Sequence, residues 1–398
     1  MGFDLLEKNL RQRIGAGGGI SAVRAPLRAC PLGAHVDHQG GEVTGLALDH
    51  GVDLLFKPRD TPIVTLESVG FSGVIEIDLR RVGERQGDWG DYLWAVAAEM
   101  GEVFDLHWGF DGVMQGDLVG MGVSSSAAVM VAYCLALAGV NQIEMSRPEI
   151  ARLIQRAENR YIGVASGLLD QSVILFAEVE SLTHIDCRDF AVSQIAAEET
   201  LLDFRVLVAF SGMARQLSNT GYNDRVGECC EAAAILLRRA GAEPGLDPVL
   251  SDVALEVFEQ EGRRLPGNLR RRAAHYFGEI ARVHDGIEAW RRGDLGAFGA
   301  LVTASGESSI VNYQCGTPPL VVLFEALRDA PGVFGTRFSG AGFGGSCVAL
   351  VEAGAADDII ERVARTYRGA FPDLAAHARS VICRPAGPAA VMNAEEFS

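Results

Sequence analysis

An uncharged stretch from Leu118 to Ile143, LVGMGVSSSAAVMVAYCLALAGVNQI, decides what the first half of the chain can fold into. It is about long enough to cross a bilayer. Its first third is rich in glycine and serine, however, so only the fourteen residues Ala127 to Val140 form a continuous apolar helix. That length is typical of a buried core helix, and we expect a globular domain without a membrane span.

The charge balance of the chain argues against two kinds of binding partner. The 398 residues contain 52 Asp and Glu against 35 Lys and Arg, a formal net charge of −17. Such a chain is repelled by nucleic acid and by anionic lipid surfaces, so we expect neither as a partner. At roughly 100 to 200 residues per domain, the length predicts two domains, which we place at residues 1–195 and 196–398.

The cysteines and the N-terminus indicate the compartment. Eight cysteines are scattered along the chain without a C-x-x-C pair, a pattern typical of reduced thiols rather than of a disulfide framework. The first residues, MGFDLLEKNLRQR, contain no apolar signal core. We therefore expect a cytoplasmic protein.

The order of predicted elements favours an α+β fold. Alternating or apolar runs predict strands over 46–56, 63–69, 74–79 and 204–211, and helical spacing predicts helices over 92–104, 147–161, 223–240, 270–292 and 359–367. Residues 336–352 predict a glycine hairpin, and the tail RPAGPAAV is typical of a linker. Strands and helices come in separate runs and do not alternate as in the repeating βαβ units of an α/β fold.

The segment GMGVSSSA, from Gly120 to Ala127, opens directly onto the apolar helix. A helix N-terminus with small residues exposes unpaired backbone N–H groups and the positive end of the helix dipole, which together favour an anion. The alternative is a core helix that serine merely caps. A Walker loop is excluded, because the two lysines of the chain, Lys8 and Lys57, do not follow a G-x-x-x-x-G pattern.

Two further segments combine glycine with polar residues. RACPLGAHVDHQGG, from Arg28 to Gly41, brings an arginine, two histidines and an aspartate into one loop. Metal ligation by these histidines is one interpretation, and hydrogen bonding to sugar hydroxyls, which needs such a mixture of donors and acceptors, is the one we favour. GAGFGG, from Gly340 to Gly345, either allows backbone to approach a ligand or forms a plain hairpin turn.

Read in order, APLRACPLGAHVDHQGG, LVGMGVSSSAAV and GTRFSGAGFGGSCVALVEA resemble the three motifs of the GHMP small-molecule kinases, and the first resembles the galactokinase signature. QRAENRYIGVASGLLDQSVILFAE, SGMARQLSNTGY and DWGDYLWAV extend the likeness over most of the chain. The resemblance implies a two-lobed α+β fold with ATP and a sugar bound between the lobes, Mg²⁺ as a second cofactor, and a monomer or homodimer.

The resemblance also implies residue roles. Catalysis is implied for Arg28 and Asp170, and Mg²⁺ binding for Ser126 and Glu158. The implied sugar-binding residues are Ala34, His35, Asp37, Gly167 and Tyr222. The implied ATP-binding residues are Trp89, Gly120, Gly122, Ser124, Ser125, Ser126, Ala127, Gly342 and Gly344.

Two positions depart from the family pattern. Leu118 replaces a usual proline, a change that we expect to matter little. Ala34 replaces the glutamate that in galactokinases accepts a hydrogen bond from the C6 hydroxyl. A glutamate would repel a carboxylate at C6, so the alanine favours D-galacturonate over D-galactose, and the whole first motif resembles that of plant galacturonokinases. Arg215 is a candidate partner for the substrate carboxylate.

Other functions stay open at this point. The first alternative is a galactokinase in which Ala34 is a neutral change. The second is a catalytically silent sugar and ATP sensor, which is disfavoured because Ser126, Ala127 and both implied catalytic residues are present. The third is a family member that acts on mevalonate or homoserine, against which the pair His35 and Asp37 argues.

Overall fold

The computed structural model describes residues 3–14, 19–81, 83–197, 203–213 and 221–393. Its helices are α1 Phe3–Ile14, α2 Asp91–Gly101, α3 Ser125–Asn141, α4 Arg147–Ala157, α5 Leu169–Phe176, α6 Tyr222–Arg239, α7 Leu255–Glu261, α8 Gly267–Arg291, α9 Leu295–Ser308, α10 Pro318–Arg328, α11 Ala356–Ala370 and α12 Pro372–Ala375. Its strands are β1 Ser21–Ala29, β2 Glu42–Pro58, β3 Ile63–Ser68, β4 Val74–Asp78, β5 Phe110–Gly116, β6 Ser181–Asp186, β7 Ala191–Ala196, β8 Phe204–Phe210, β9 Val333–Phe338, β10 Ser346–Glu352, β11 Arg379–Cys383 and β12 Ala390–Asn393.

The first sheet is organised around the long strand β2. Its strand order is β12-β1-β2-β5-β3-β4, and β6 pairs with the start of β2 and carries β7 on its other side. All of these pairs are antiparallel except the parallel pair of β3 with β5. Mostly antiparallel strands with helices packed beside them confirm the α+β prediction.

Helix α3 lies in the core beneath this sheet. Nearly every side chain from Ala127 to Val140 is buried, as the sequence predicts for a short apolar helix inside a globular domain. No helix in the described ranges is long and apolar enough to cross a membrane.

The second sheet has the strand order β11-β8-β10-β9, antiparallel throughout, and belongs to the second lobe with α6 to α11. The last strand of the chain, β12, returns to the first sheet and pairs with β1. The interpretation of RPAGPAAV as a linker is therefore wrong. Its backbone is tied to the first lobe, because Ala386 donates to the Ala47 carbonyl at 2.9 Å and Ala389 donates to the Ile174 carbonyl at 2.7 Å.

Two helices end in π-helical turns that the sequence did not predict. The predicted helix 147–161 stops at Ala157, and Glu158–Ile162 forms a wider turn that ends at Gly163. Ser309–Tyr313 does the same after α9. Such turns recur at functional sites, and each of these two supplies a side chain to the region described next.

Candidate active site

The three glycine-rich segments of the sequence meet at one place between the lobes. Ser346 donates to the carbonyl of Met121 at 2.7 Å, and Ser339 donates to the carbonyl of Gly122 at 2.9 Å. The backbone N–H of Arg28 donates to the Val123 carbonyl at 3.3 Å. Position 122 favours glycine because its backbone has φ 80°, in the left-handed region. The hairpin therefore holds the glycine-serine loop.

The glycine-serine loop takes a backbone shape that few residues adopt. Gly120, Gly122 and Ser124 all have positive φ, and Ser124 at φ 64° is a non-glycine residue in the left-handed region. As the residue before α3, Ser124 makes no side-chain capping bond to the helix. The alternative of serine as a simple cap therefore fails for Ser124. Leu118 also has positive φ, at 50°, a value closed to proline.

Arg28 and Asp170 form an ion pair at the start of α5. The guanidinium approaches Oδ1 of Asp170 at 2.8 Å from Nε and 2.7 Å from Nη2, while the hydroxyl of Ser124 donates to Oδ2. The Nη1 atom of Arg28 also lies 3.5 Å from the hydroxyl oxygen of Ser339. Its side chain is 4% exposed whereas that of Asp170 is 29% exposed, so the carboxylate is the member of the pair that a ligand can reach.

Asp37 lies beside this pair. The backbone N–H of Leu169 donates to its Oδ2 at 3.4 Å. Burial raises the pKa of Asp37 to about 6, and the negative charge of Asp170 adds to the rise. Gly167 gives this carboxylate its space, because a Cβ at position 167 would lie 2.4 Å from Oδ2.

His35 and His38 are packed around the ring of Tyr313. The imidazole of His35, at φ 59°, is stacked on Tyr313 with centroids 4.3 Å apart, and Nε2 of His38 lies 3.1 Å from the Tyr313 hydroxyl. Burial lowers the pKa of His38 to about 4 and that of His35 well below its usual range. Both rings are therefore neutral at pH 7 and act as hydrogen-bonding groups.

The backbone of Ala34 is held from the second lobe. Its N–H donates to Oε2 of Glu279 at 3.2 Å, and its carbonyl lies 2.9 Å from Nε2 of His275. The carboxylate of Glu279 also accepts from the N–H of Gly33 at 2.9 Å and from the Ser305 hydroxyl at 2.9 Å. Sequence reasoning missed Glu279, His275 and Tyr313, since a lone polar residue in a helix gives no local signal.

A single cleft is lined by residues that the sequence had singled out from separate segments. From the predicted set it is lined by Arg28, Ala34, His35, Asp37, Ser126, Glu158, Gly167, Asp170 and Tyr222. Tyr222 enters it from the first residue of α6. His35, Asp37 and His38 do not converge as metal ligands in the described residues, where the one group that could hold an ion is Asp49, His50 and Cys383.

The remaining predicted residues within the described ranges lie outside the lining of this cleft. Gly120, Gly122, Ser124, Ser125 and Ala127 form the loop and the first turn of α3. Gly342 and Gly344 lie in the hairpin, both with positive φ. Trp89, just before α2, is stacked on Phe71 with centroids 6.0 Å apart. Arg215 falls outside the described residues.

Ser126 and Glu158 present oxygen atoms to the same cleft. Glu158 is 7% exposed in its π-helical turn, and its Oε2 accepts from the Ser166 hydroxyl at 2.5 Å. A carboxylate and a hydroxyl beside a phosphate loop are the donors that Mg²⁺ shares with substrate phosphates. The residues present therefore fit this ion.

A helix N-terminus suited to phosphate, next to an arginine and a reachable carboxylate, is an arrangement that suits phosphoryl transfer. Residues 91–178 match the GHMP kinases N terminal domain, and residues 287–369 match the GHMP kinases C terminal domain. The chain is 41% identical over 379 residues to a galacturonokinase of Arabidopsis thaliana, covering 90% of this chain and 89% of that protein. It is 30% identical over 349 residues to a galactokinase of Roseiflexus, covering 87% and 88%.

The solved structures agree with these relatives. Galactokinase of Lactococcus lactis, complexed with galactose, has a TM-score of 0.88 at 27% identity and covers 97% of this chain and 98% of its own. Mevalonate kinase of Methanococcus jannaschii shares the fold alone, with a TM-score of 0.64 at 17% identity, 94% of this chain and 99% of its own. This chain belongs to the GHMP kinase family. Membership of a kinase family implies ATP as the phosphoryl donor.

Proposed function

We propose that this protein transfers the γ-phosphoryl group of ATP to the anomeric hydroxyl of D-galacturonate and releases ADP and galacturonate 1-phosphate. The observation that carries the proposal is the cleft that places Ala34 beside the pair of Arg28 and Asp170. The pair suits phosphoryl transfer, and the small apolar side chain suits a sugar with a carboxylate at C6.

Asp170 acts on the sugar hydroxyl. The O1 oxygen forms a bond to the γ-phosphorus as the bond from that phosphorus to the bridging oxygen of ADP breaks, and the O1 proton passes to the carboxylate of Asp170. Ser124 and Arg28 hold the two carboxylate oxygens, so the acceptor is oriented before the sugar arrives. Arg28 also offers positive charge to the phosphoryl group in transfer.

The phosphates of ATP bind at the start of α3. The dipole of this 17-residue helix has its positive end here. The surface at Gly120 is open, since a Cβ there would meet nothing within 4 Å. Ser126 and Glu158 would hold Mg²⁺, which when bound neutralises charge on the β- and γ-phosphates.

The sugar binds at the other side of the pair. Asp37 and the neutral rings of His35 and His38 supply acceptors and donors for its hydroxyls. A glutamate at position 34 would accept a bond from a C6 hydroxyl, whereas alanine leaves that hydroxyl without an acceptor, at a cost of about 1 kcal/mol. For a C6 carboxylate the alanine removes a like charge instead.

Two other functions differ from this proposal in testable ways. A galactokinase would prefer galactose, with water in the space beside Ala34. A sensor would bind ATP and sugar without turnover, and the presence of Arg28, Asp170, Ser126 and Glu158 in one cleft argues against it. We place the reaction in the cytoplasm because all eight cysteines are free thiols. The protein acts as a monomer or homodimer.

The test is ADP release measured with galacturonate, galactose, glucuronate and arabinose as acceptors. We expect the highest kcat/KM with galacturonate. Ala34→Glu should shift the ratio of kcat/KM toward galactose by about tenfold or more, the equivalent of one hydrogen bond gained and one repulsion added. Ala34→Gln, which adds similar bulk without charge, is the matched control and should shift it less. Preference of the unmodified enzyme for galactose, or an unmoved ratio in Ala34→Glu, would contradict the proposal.

A further inference from the structure

The loop from Leu32 to Val36 is held by both lobes. Its two ends are bonded within the first lobe, because the Leu32 carbonyl accepts from the N–H of Thr44 at 2.9 Å and the Val36 carbonyl accepts from the N–H of Gly41 at 2.9 Å. Its middle contacts α8 of the second lobe. The backbone of that helix lies close against the loop, since a Cβ at Gly286 would come within 2.2 Å of Cδ1 of Leu32. The position of the middle of the loop therefore depends on α8.

Glu279 of α8 holds two N–H groups of this loop. Its Oε2 accepts from the backbone of Gly33 at 2.9 Å and from the backbone of Ala34 at 3.2 Å. The residue is fully buried, and its Oε1 accepts from Nε of Arg282 at 2.7 Å. Hydrogen bonds to an ionised acceptor are shorter and stronger than those to a neutral one. One carboxylate oxygen thus fixes two consecutive peptide groups.

The Ser305 hydroxyl extends this contact to β9. It donates to Oε2 of Glu279 at 2.9 Å and accepts from Nη1 of Arg337, a residue that lines the cleft, at 2.9 Å. The carboxylate therefore has three donors on one oxygen, and two guanidinium groups offset its charge. A buried polar network whose members are satisfied is rigid, so the carboxylate is a fixed point against which the loop is held.

His275, one helical turn before Glu279, holds the other side of Ala34. Burial lowers the pKa of His275, so the ring is neutral at pH 7. Because a carbonyl oxygen only accepts, Nε2 carries the proton and donates to the Ala34 carbonyl at 2.9 Å, and Nδ1 accepts from the Ser308 hydroxyl at 2.9 Å. One face of α8 therefore binds both backbone polar groups of Ala34.

The residue that follows Ala34 has a backbone conformation that needs such support. His35 has φ 59°, in the left-handed region that few non-glycine residues adopt. Residues in sparsely populated regions persist only where the surrounding structure holds them. The peptide group before His35 is the one whose carbonyl His275 binds, and the ring of His35 is stacked on Tyr313 with centroids 4.3 Å apart. The second lobe thus holds both the backbone and the ring of His35.

We propose that Glu279, together with His275, positions this loop so that His35 presents its ring to the sugar, and that this contact sets the affinity of the enzyme for its sugar. Neither Glu279 nor His275 lines the cleft. Both act through the backbone of Ala34 and are positioning residues. The inference rests on the proposed function only in that the cleft binds a sugar, and it applies to galacturonate and galactose alike.

The experiment is a double-mutant cycle on KM for the sugar, measured by ADP release. Glu279→Gln keeps the shape of the side chain but removes the charge. KM for galacturonate should rise about tenfold, as expected for loss of hydrogen bonds to a charged group, whereas kcat and KM for ATP should change little. In the background of His35→Ala, Glu279→Gln should alter KM for the sugar by less than about twofold, because the residue through which Glu279 acts is absent.

Glu99→Gln is the matched control. Glu99 is a carboxylate of α2 that is 2% exposed, is paired with Arg156 at 3.1 Å and lies outside the lining of the cleft. This change should lower the free energy of unfolding and leave KM for the sugar unchanged. The inference is wrong if Glu279→Gln leaves KM for the sugar unchanged, or raises KM for the sugar and for ATP by the same factor. It is also wrong if the rise is as large in the background of His35→Ala.

Variants of His275 test the same inference if Glu279→Gln does not fold. His275→Leu removes the donor to the Ala34 carbonyl and should raise KM for the sugar, without a further effect in the background of His35→Ala. His275→Gln keeps an N–H donor and should recover part of the affinity. An unchanged KM in His275→Leu, or an equal rise in the background of His35→Ala, would contradict the inference. Preference of the unmodified enzyme for galactose would contradict the proposed function alone, because the cycle can then be measured with galactose.

Discussion

The two arginines of the cleft differ in how their charges are balanced. Arg28 has a carboxylate of the protein within 2.8 Å, and that carboxylate is 29% exposed. Arg337 donates to a carbonyl and a hydroxyl, and none of the described acids lies within ion-pair distance of it. Both guanidinium groups are nearly fully buried.

The difference separates a charged pair that faces the reaction from an arginine that packing holds in place. At Arg28 the protein completes its own ion pair, so this part of the cleft is prepared for chemistry that is common to every acceptor. At Arg337 the guanidinium donates to neutral acceptors and reaches the Glu279 carboxylate through the Ser305 hydroxyl, so this part of the cleft is held by packing. Changes at the first arginine pair should therefore lower turnover with every acceptor, whereas changes at Arg337 should act through the packing of the site and lower all activities together.

Asp170→Asn should have the largest effect. Asparagine keeps the shape of the side chain but cannot accept the O1 proton, and loss of a positioned acid or base typically costs about 10²- to 10⁴-fold. We expect kcat to fall by this factor with both galacturonate and galactose, while ATP still binds. The measurement is ADP release at saturating substrates, with calorimetric titration of ATP as the control for an intact site. A loss of turnover of only about threefold or less, much smaller than that range, would remove Asp170 from the mechanism.

The pH profile of kcat/KM should show the next largest effect. The pKa of Asp37 is raised to about 6, so this carboxylate is ionised at pH 7 and largely protonated at pH 5. A protonated Asp37 is a poorer acceptor for a sugar hydroxyl, and kcat/KM should fall by about tenfold between pH 7 and pH 5. Asp37→Asn should have a lower kcat/KM at pH 7 and should lack this inflection.

The same profile can sharpen the comparison between the two parts of the cleft. Burial is the main cause of the raised pKa of Asp37, and the charge of Asp170 contributes to it. In Asp170→Asn the inflection should therefore move to lower pH. Because this variant has little turnover, the profile is measured as the affinity for sugar. An inflection that stays in place in Asp37→Asn would show that another group titrates there.

The fold was predictable where the signal is local. Helix α3 is an uninterrupted apolar run, and its buried position follows from that alone. The strand β12 was missed because RPAGPAAV contains two prolines and a glycine, and its pairing depends on β1, far away in sequence. The π-helical turn at Glu158 was missed for a similar reason, since residues 147–161 continue to look helical.

The site was predictable where residues come in a motif. Arg28, the loop before α3 and the hairpin belong to three recognisable segments, and the structure brings these together. Glu279 and Tyr313 carry no motif, because their roles come from contacts with Ala34 and His35 across the lobes. Arg337 was visible in the third segment, but its missing ion pair is a property of three-dimensional packing.

Glu42 offers a third kind of charge balance and the smallest expected effect. Its carboxylate lies 2.8 Å from Nε2 of His184 in the first lobe and 2.8 Å from Nε2 of His284 in the second. The hydrogen bond from His184 is the main cause that lowers the pKa of Glu42, from 4.5 to about 2. This pairing is complete within the protein and lies outside the lining of the cleft, so it should affect stability and not specificity.

The sign of the effect follows from the lowered pKa. The ionised Glu42 contributes stability that is present above pH 4.5, its unfolded value, and is lost as the pH falls through about 2. Because the group is partly exposed, solvent screens the interaction, and we expect a contribution of no more than about 1 kcal/mol.

Urea unfolding of Glu42→Gln should therefore show a free energy of unfolding lower than that of the unmodified protein at pH 6, with the gap narrowing toward pH 3. The ratio of galacturonate to galactose activity should not change. A gap that is constant between pH 6 and pH 3 would mean that Glu42 contributes through packing, and an altered ratio would mean that the interface between the lobes also sets specificity.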